Sequence, residues 1–272
     1  MTEQAEKAER FLDLHHGEGP LLLPNPWDQG SARLLASLGF QALATTSSGF
    51  AATLGRADGG VARDEAIAHA GAVAAAVDVP VSADLEDCFA AEPEGVADTV
   101  TRAIAAGVAG GSVEDFTRDR DTPIYELEQA VARVEAAAEV AHSGGLNYVL
   151  TARAEAALYG EKDLGVIIER LQRFSAAGAD VLFAPGVVAP DDVRRLVAEV
   201  DKPVNVVALP GGPDVAEMAE MGVGRVSVGG AFAWVAMSGV VEAGRELLDQ
   251  GTFGYFDRMA AGRKAWGAVI GR

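Results

Sequence analysis

Eight short apolar runs, each followed by a longer segment at helical spacing, set the strongest limit on how this chain folds. They are Leu21–Pro24, Ala42–Thr46, Val81–Leu85, Gly111–Glu114, Tyr148–Ala152, Val181–Ala184, Val204–Ala208 and Arg225–Val228. Most are apolar on both parities, as strands covered on both faces are. Gly39, Gly107, Gly178 and Gly222 stand between a helical segment and the next run, where a helix-ending glycine belongs. Pro80 and Pro203 begin runs instead, where a missing N–H is tolerated.

Eight βα units on 272 residues predict an α/β chain folded as a (β/α)8 TIM-type barrel. A doubly wound open sheet is the alternative, but no G-x-G-x-x-G follows the first run to support it. Composition shows no linker, so 1–272 reads as one barrel domain. An N-terminal helix is expected over about 1–18 and added helices over about 231–272. Phe253, Tyr255, Phe256 and Trp266 crowd into that tail, which predicts packing on the barrel or on a neighbouring subunit.

Charge narrows the partners. Forty acids against 22 Lys and Arg give a net charge of −18, a field that repels nucleic-acid phosphates and anionic lipid. A small anionic substrate then needs a local positive site, either a metal ion or a few placed arginines. The single cysteine, Cys88, excludes an internal disulfide and an all-Cys zinc site. A cytoplasmic setting is the default, with no apolar signal core at the start and no run of about 18 apolar residues.

Two runs carry the chemistry. "VSADLEDCF" ends an apolar stretch in Asp84, Glu86 and Asp87, and "GGSVEDF" ends the next in Glu114 and Asp115. Strand alternation puts Asp84 and Glu86 on one face and turns Asp87 away. In a barrel the carboxyl ends of the strands carry the active site, so Asp84, Glu86 and Glu114 converge there. Three inward acids cannot all stay ionised without a counter-charge; one is protonated, or a cation sits among them. Oxygen-only ligands favour Mg²⁺, with Mn²⁺ as an alternative, over zinc. Capping of the following helices competes with this reading, and suits Asp87 and Asp115 better than the other three.

Around these acids stand further candidates. Arg153 shares the parity of Thr151 and points inward, where it clamps a substrate carboxylate or pairs with a site acid. Ser47, Ser48 and Gly49 offer hydroxyls and backbone N–H groups for a carboxylate cradle. Asn205 is an inward amide on the seventh run. His15, His16, His69 and His142 lie away from strand ends and read as packed or solvated. Nothing basic stands beside Cys88 to activate it.

These residues resemble the isocitrate lyase / phosphoenolpyruvate mutase superfamily. The likeness spans nearly the whole chain through "LPNPWDQGSARLLASLGFQALATTSSG", "VSADLED", "GGSVED", "LTARAEA", "AGADVLFAPG" and "KPVNVVA". It implies a (β/α)8 barrel whose last helix is exchanged between subunits, as a tetramer or dimer. It implies chemistry at a C–C or P–C bond beside a 2-oxo acid, with Mg²⁺ stabilising a pyruvate-enolate-like species. By motif, Asp84 matches the principal metal-binding aspartate, with Glu86 and Glu114 supporting it. Trp27, Ser47, Ser48 and Gly49 match the carboxylate cradle, Arg153 the substrate arginine, and Asp58 a functional loop aspartate.

Departures mark the chain too. The loop "FTRDRDTPIYE" has neither the Cys nor the His of the true isocitrate and methylisocitrate lyases, and Ala184-Pro185-Gly186 stands where they place a glutamate. Arg118 and Arg120 bring charge to that loop, though not readily a proton. The expected activity is a Mg²⁺-dependent lyase or decarboxylase acting on a small anionic 2-oxo or 2-hydroxy (di)carboxylate. Phosphonopyruvate hydrolysis or phosphoenolpyruvate mutation is the second expectation. A non-catalytic 2-oxo-acid-binding protein that lost its gate is the third.

Overall fold

The computed structural model describes residues 2–271. Eight strands form: β1 Leu21–Leu23, β2 Leu43–Ala44, β3 Val81–Ala83, β4 Gly110–Glu114, β5 Val149–Arg153, β6 Val181–Phe183, β7 Val204–Val207 and β8 Arg225–Ser227. All ladders are parallel, in the order β1-β8-β7-β6-β5-β4-β3-β2. The β1–β2 seam closes where Ala44 N–H donates to Pro24 O at 3.1 Å and Asn25 Nδ2 donates to Thr45 O at 3.1 Å. The result is the expected (β/α)8 barrel.

Each strand falls where an apolar run predicted one, but most are shorter. The second run bends after Ala44, because Thr46 leaves the strand to cap a helix, Ser47–Thr53, through Gly49 N–H. The Ser47–Gly49 cradle is therefore the first turn of a helix and not a loop. The four helix-ending glycines take left-handed φ values of 99°, 95°, 103° and 79° at Gly39, Gly107, Gly178 and Gly222, a conformation a Cβ disfavours.

The helix Glu3–Leu14 closes the end of the barrel opposite the mouth. Its Phe11 is fully buried among Leu21, Leu23, Ala42, Val149 and Val181. Gly110 opens β4 because a Cβ there would fall 2.9 Å from the Phe11 ring and 2.7 Å from Val149 O. The larger core lies between the strands and the outer helices, with Leu43, Leu150, Leu171, Phe174 and Leu182 fully buried.

After β8 the chain forms two more helices, Ala231–Gln250 and Phe256–Val269. They leave Trp234, Val235, Val240, Leu248, Phe253 and Phe256 exposed, Leu248 to 86%. The last helix touches the chain's own helix Gln29–Ser37. No helix among the described residues is long and apolar enough to cross a membrane.

Candidate active site

A cavity of about 400 Å³ opens at the carboxyl ends of the strands. Ser47, Ser48, Asp58, Asp84, Glu86, Glu114, Arg153 and Asn205 all line it. Trp27 and Gly49 do not. Gly49 is instead a packing position: a Cβ there would lie 2.7 Å from Thr46 Cγ2, 3.1 Å from Trp27 Cβ and 3.3 Å from Ala233 Cβ. Both help seat the Ser47 helix against the barrel without reaching the cavity wall.

β3 ends at Ala83, so alternation alone does not aim the acids that follow. The chain turns through Glu86, Cys88 and Phe89, all non-glycine residues with φ between 50° and 57°. Such backbone is costly and is retained where the surroundings enforce it. Here the enforcement is visible: the fully buried Arg133 donates to the carbonyls of Asp87 and Ala90 and also to Glu114 O. One guanidinium thus ties the turn after β3 to the end of β4. Asp84 is fixed separately, its N–H donating to Thr45 Oγ1 at 2.8 Å and its Oδ2 accepting from Ser47 N–H at 2.9 Å.

Asp87 and Asp115 cap no helix, since the next helices begin at Pro93 and Leu127. Asp87 is buried and pairs with Arg118 at 2.7 Å. Asp115 accepts from Glu155 N–H at 2.7 Å and pairs with Arg170 at 3.1 Å. Both are braces behind the site.

Arg153 reaches inward as expected, but carboxylates already hold it. Its Nη1 lies 2.7 Å from Glu114 and 3.5 Å from Asp84, while Nε donates to Glu155 at 2.9 Å. Burial works against the cation, yet Glu114, Glu155 and Asp84 outweigh it and keep Arg153 firmly protonated. Burial, then the nearby Asp84, pushes Glu86 up to about 7 despite Arg118 at 3.0 Å. Burial also pushes Glu114 well above the usual carboxylate range, with Glu155, Asp84 and Glu86 adding repulsion against the pull of Arg153. This acid group is short of positive charge.

Among the described residues no three His, Cys, Asp or Glu side chains form a ready-made metal-ligand group. The donors nonetheless suit a hard cation, being oxygen only and under-neutralised. Asp84, Glu86 and Glu114 are the residues that would hold one.

The loop after β4 arches over this cavity. Its ends meet in a bridge between Phe116 and Ile124, and the Phe116 ring stacks on Tyr159 at 5.0 Å. Arg118 reaches across to Glu86, Asp87 and Gly59 O, and lies over the Phe89 ring. Arg120 and Asp58 also face the cavity.

Sequence reading missed two charged groups here. Glu155 continues the alternation Thr151, Arg153, Glu155 within a motif already singled out, so its signal was present. Arg225 is a cation inside an apolar run, two residues before the inward Ser227, and it lines the cavity floor. The histidines behave as packed or paired groups: His15 is buried, His69 stacks on Phe50, and His142 meets Asp180 at 3.0 Å. Cys88 is fully buried, and burial pushes its thiol well up, away from nucleophile chemistry.

Known proteins resemble this chain over most of its length. The family model described as phosphoenolpyruvate phosphomutase matches residues 11–248. An uncharacterized protein of Mycobacterium tuberculosis is 32% identical over 241 residues, covering 88% of this chain and 89% of its own. A solved Burkholderia cenocepacia J2315 protein, assigned only provisionally as a lyase/mutase, is 45% identical with a TM-score of 0.91, covering 94% of this chain and 92% of that one. Oxaloacetate acetylhydrolase, solved with its product oxalate, is 25% identical with a TM-score of 0.87, over 97% of this chain and 94% of that one. With the family model matched over residues 11–248 and the barrel shared over most of the length, the chain belongs to the phosphoenolpyruvate mutase / isocitrate lyase superfamily.

Proposed function

We propose that this chain is a divalent-metal-dependent carbon–carbon lyase or decarboxylase acting on a small 2-oxo or 2-hydroxy dicarboxylate. Oxaloacetate and substituted malates are the first substrates to try. One observation carries the reading: Asp84, Glu86 and Glu114 converge with Arg153 on one cavity at the carboxyl ends of β3, β4 and β5. The likeness to oxaloacetate acetylhydrolase supports the substrate class.

Mg²⁺, or Mn²⁺ in its place, would be held by Asp84, Glu86 and Glu114 and would supply a Lewis acid for the 2-oxo oxygen. The chain's own residues do the rest. Ser47 and Ser48 present hydroxyls on the cavity wall to orient a carboxylate. Arg153, held by its acids, sets a fixed positive edge beside them. Asp58, the loop aspartate that the resemblance places at the reaction, lines the same cavity. The Phe116–Tyr159 stack and the loop carrying Arg118 border the mouth of the cavity, where they would limit access of bulk water. The test is turnover of oxaloacetate and malates by wild type and Asp84→Ala, with and without chelator. Wild-type activity that survives chelation, together with an active variant, removes this reading.

Phosphonopyruvate hydrolysis or phosphoenolpyruvate mutation is the second reading, favoured by the family model that matches residues 11–248. Phosphorus NMR of phosphonopyruvate incubations separates the two, and an unchanged spectrum removes the second.

The apolar faces of Ala231–Gln250 and Phe256–Val269 support a homo-oligomer in which a second copy covers them, a dimer or tetramer with exchanged helices. Light scattering tests this, since a monomer at micromolar concentration would contradict it. A cytosolic setting, where the lone buried thiol stays reduced, suits the same protein.

A further inference from the structure

Three arginines face the cavity, and they differ in what neutralises them. Arg153 is bound by Glu114 and Glu155. Arg120 is exposed on the loop over the mouth. Arg225 is only 4% exposed, and among the described residues no carboxylate lies within ion-pairing distance of it.

The groups that bond it are all neutral, and burial, then the nearby Arg153, pushes its proton affinity down to about 9. Nε donates to Asn205 Oδ1 at 2.8 Å and Nη2 to Thr151 Oγ1 at 3.1 Å, while Nη1 meets His15 Nε2 at 3.2 Å. His15 Nδ1 lies 2.7 Å from Phe11 O, so that nitrogen carries the proton and Nε2 accepts from the arginine. Burial, then Arg225 itself, pushes the His15 imidazole down to about 3, which keeps it uncharged. A guanidinium has five N–H groups. Three are used, and two on the Nη atoms remain without a partner among the described residues.

Position adds to the argument. Arg225 lies two residues before Ser227 on β8, and its Nη2 reaches Thr151, two residues before Arg153 on β5. Arg225 and the Thr151 it bonds therefore belong to the inward layer one below Ser227 and Arg153, roughly 6.6 Å back along the strands. A buried cation without a counter-charge is expensive, and a purely structural tie would be served by a neutral donor. Two unspent donors on a buried cation at the cavity floor suit a planar oxyanion.

We propose that Arg225 binds one carboxylate of a small dicarboxylate ligand whose other end lies in the upper layer with Arg153 and Ser47, so that the site selects dianions over monoanions. This rests on reading the cavity as a carboxylate site, and goes beyond it by assigning the residue that distinguishes two carboxylates from one. Asn205 and Thr151 position the guanidinium, and His15 holds it from below.

The test is calorimetric titration of wild-type protein with malonate and with propionate, in Mg²⁺ and again in chelator. Wild type is expected to bind malonate at least about tenfold more tightly than propionate, the scale of one charge-assisted contact. Arg225→Gln should abolish that preference while leaving propionate affinity in place. Should that variant fail to fold, Arg225→Lys, which keeps the charge but loses the planar fork, should lower the preference several-fold. A wild type without preference, or a folded variant that keeps it in full, overturns the proposal. Asp84→Asn separates this from the proposed function: it should end turnover yet keep the malonate preference. A wild type that turns over no substrate but shows an Arg225-dependent preference sinks the lyase reading alone.

Discussion

Arg153 and Glu114 stand opposite each other in the β4–β5 register, and their side chains meet at 2.7 Å inside the barrel. Glu155 takes the same guanidinium from its other edge at 2.9 Å. The arginine therefore holds the acid layer together before any ligand arrives. Replacing Arg153 by Met leaves two buried carboxylates uncompensated, and is expected to cost about 3–5 kcal/mol of stability. Urea unfolding followed by circular dichroism measures it. Adding Glu155→Gln should recover part of the loss, since one of the stranded charges is gone. A cost below about 1 kcal/mol for Arg153→Met would mean the layer does not depend on the pair.

Arg118 links three loops at the mouth, pairing with Glu86 and Asp87 and donating to Gly59 O. Its own φ of 65° is unusual for a residue with a side chain. Arg118→Ala should release the loop after β4 while sparing the barrel. Its side chain is one-third exposed, so the global cost is expected to stay near 1 kcal/mol or less. Hydrogen exchange is the measurement: amides over 116–125 should exchange at least about tenfold faster, with β4 and β5 unchanged. Unchanged exchange in that loop would show that the Phe116–Ile124 bridge and the Phe116–Tyr159 stack hold it without Arg118.

The barrel was legible because covered parallel strands are apolar on both parities and helix-ending glycines punctuate the units. The acids were legible because charged residues at the ends of apolar runs stand out. What stayed hidden came from backbone that leaves the strand. Capping suits Asp87 by its place in the sequence, but left-handed backbone at Glu86, Cys88 and Phe89 turns it onto Arg118 instead. Gly49 was assigned to a substrate cradle, yet its missing side chain serves the approach of Trp27 and Ala233, a contact from opposite ends of the chain. For Arg153 the alternative of a pair with a site acid holds, through Glu114, while its third partner Glu155 stands two residues on in the same motif. Arg225 escaped notice because its acceptors, Asn205, Thr151 and His15, come from three separate elements that only the closed barrel brings together.

Gly111 and Tyr148 show how tightly β4 and β5 pack. A Cβ at Gly111 would fall 2.1 Å from the Tyr148 hydroxyl and 3.0 Å from Leu85 Cδ1. That hydroxyl is buried and has no hydrogen-bond partner among the described residues. Gly111→Ala should therefore destabilise by about 1–3 kcal/mol through overpacking. Tyr148→Phe removes an unsatisfied polar atom and should be neutral or stabilising. In the double variant, Tyr148→Phe should rescue much of the alanine penalty, because the clash is with the oxygen it deletes. Additive losses in thermal melts would show that Leu85 or the backbone sets the limit instead.

His15 links the barrel floor to acid stability. Burial, then Arg225, lowers its proton affinity from the ordinary value to about 3 in the folded chain. The unfolded imidazole takes its proton near pH 6.5, so between these limits the unfolded state binds one more proton. Stability is then whole above about pH 6.5 and falls as the pH drops, by up to about 1.4 kcal/mol per unit for one proton. His15→Gln keeps a donor for Phe11 O and an acceptor for Arg225 but cannot titrate. The difference between variant and wild-type unfolding free energies should be flat above pH 7 and should shift toward the variant between pH 6 and 4. Parallel curves across that range would mean that His15 is protonated in the folded barrel, or that acid opens the Glu3–Leu14 helix before the charge matters.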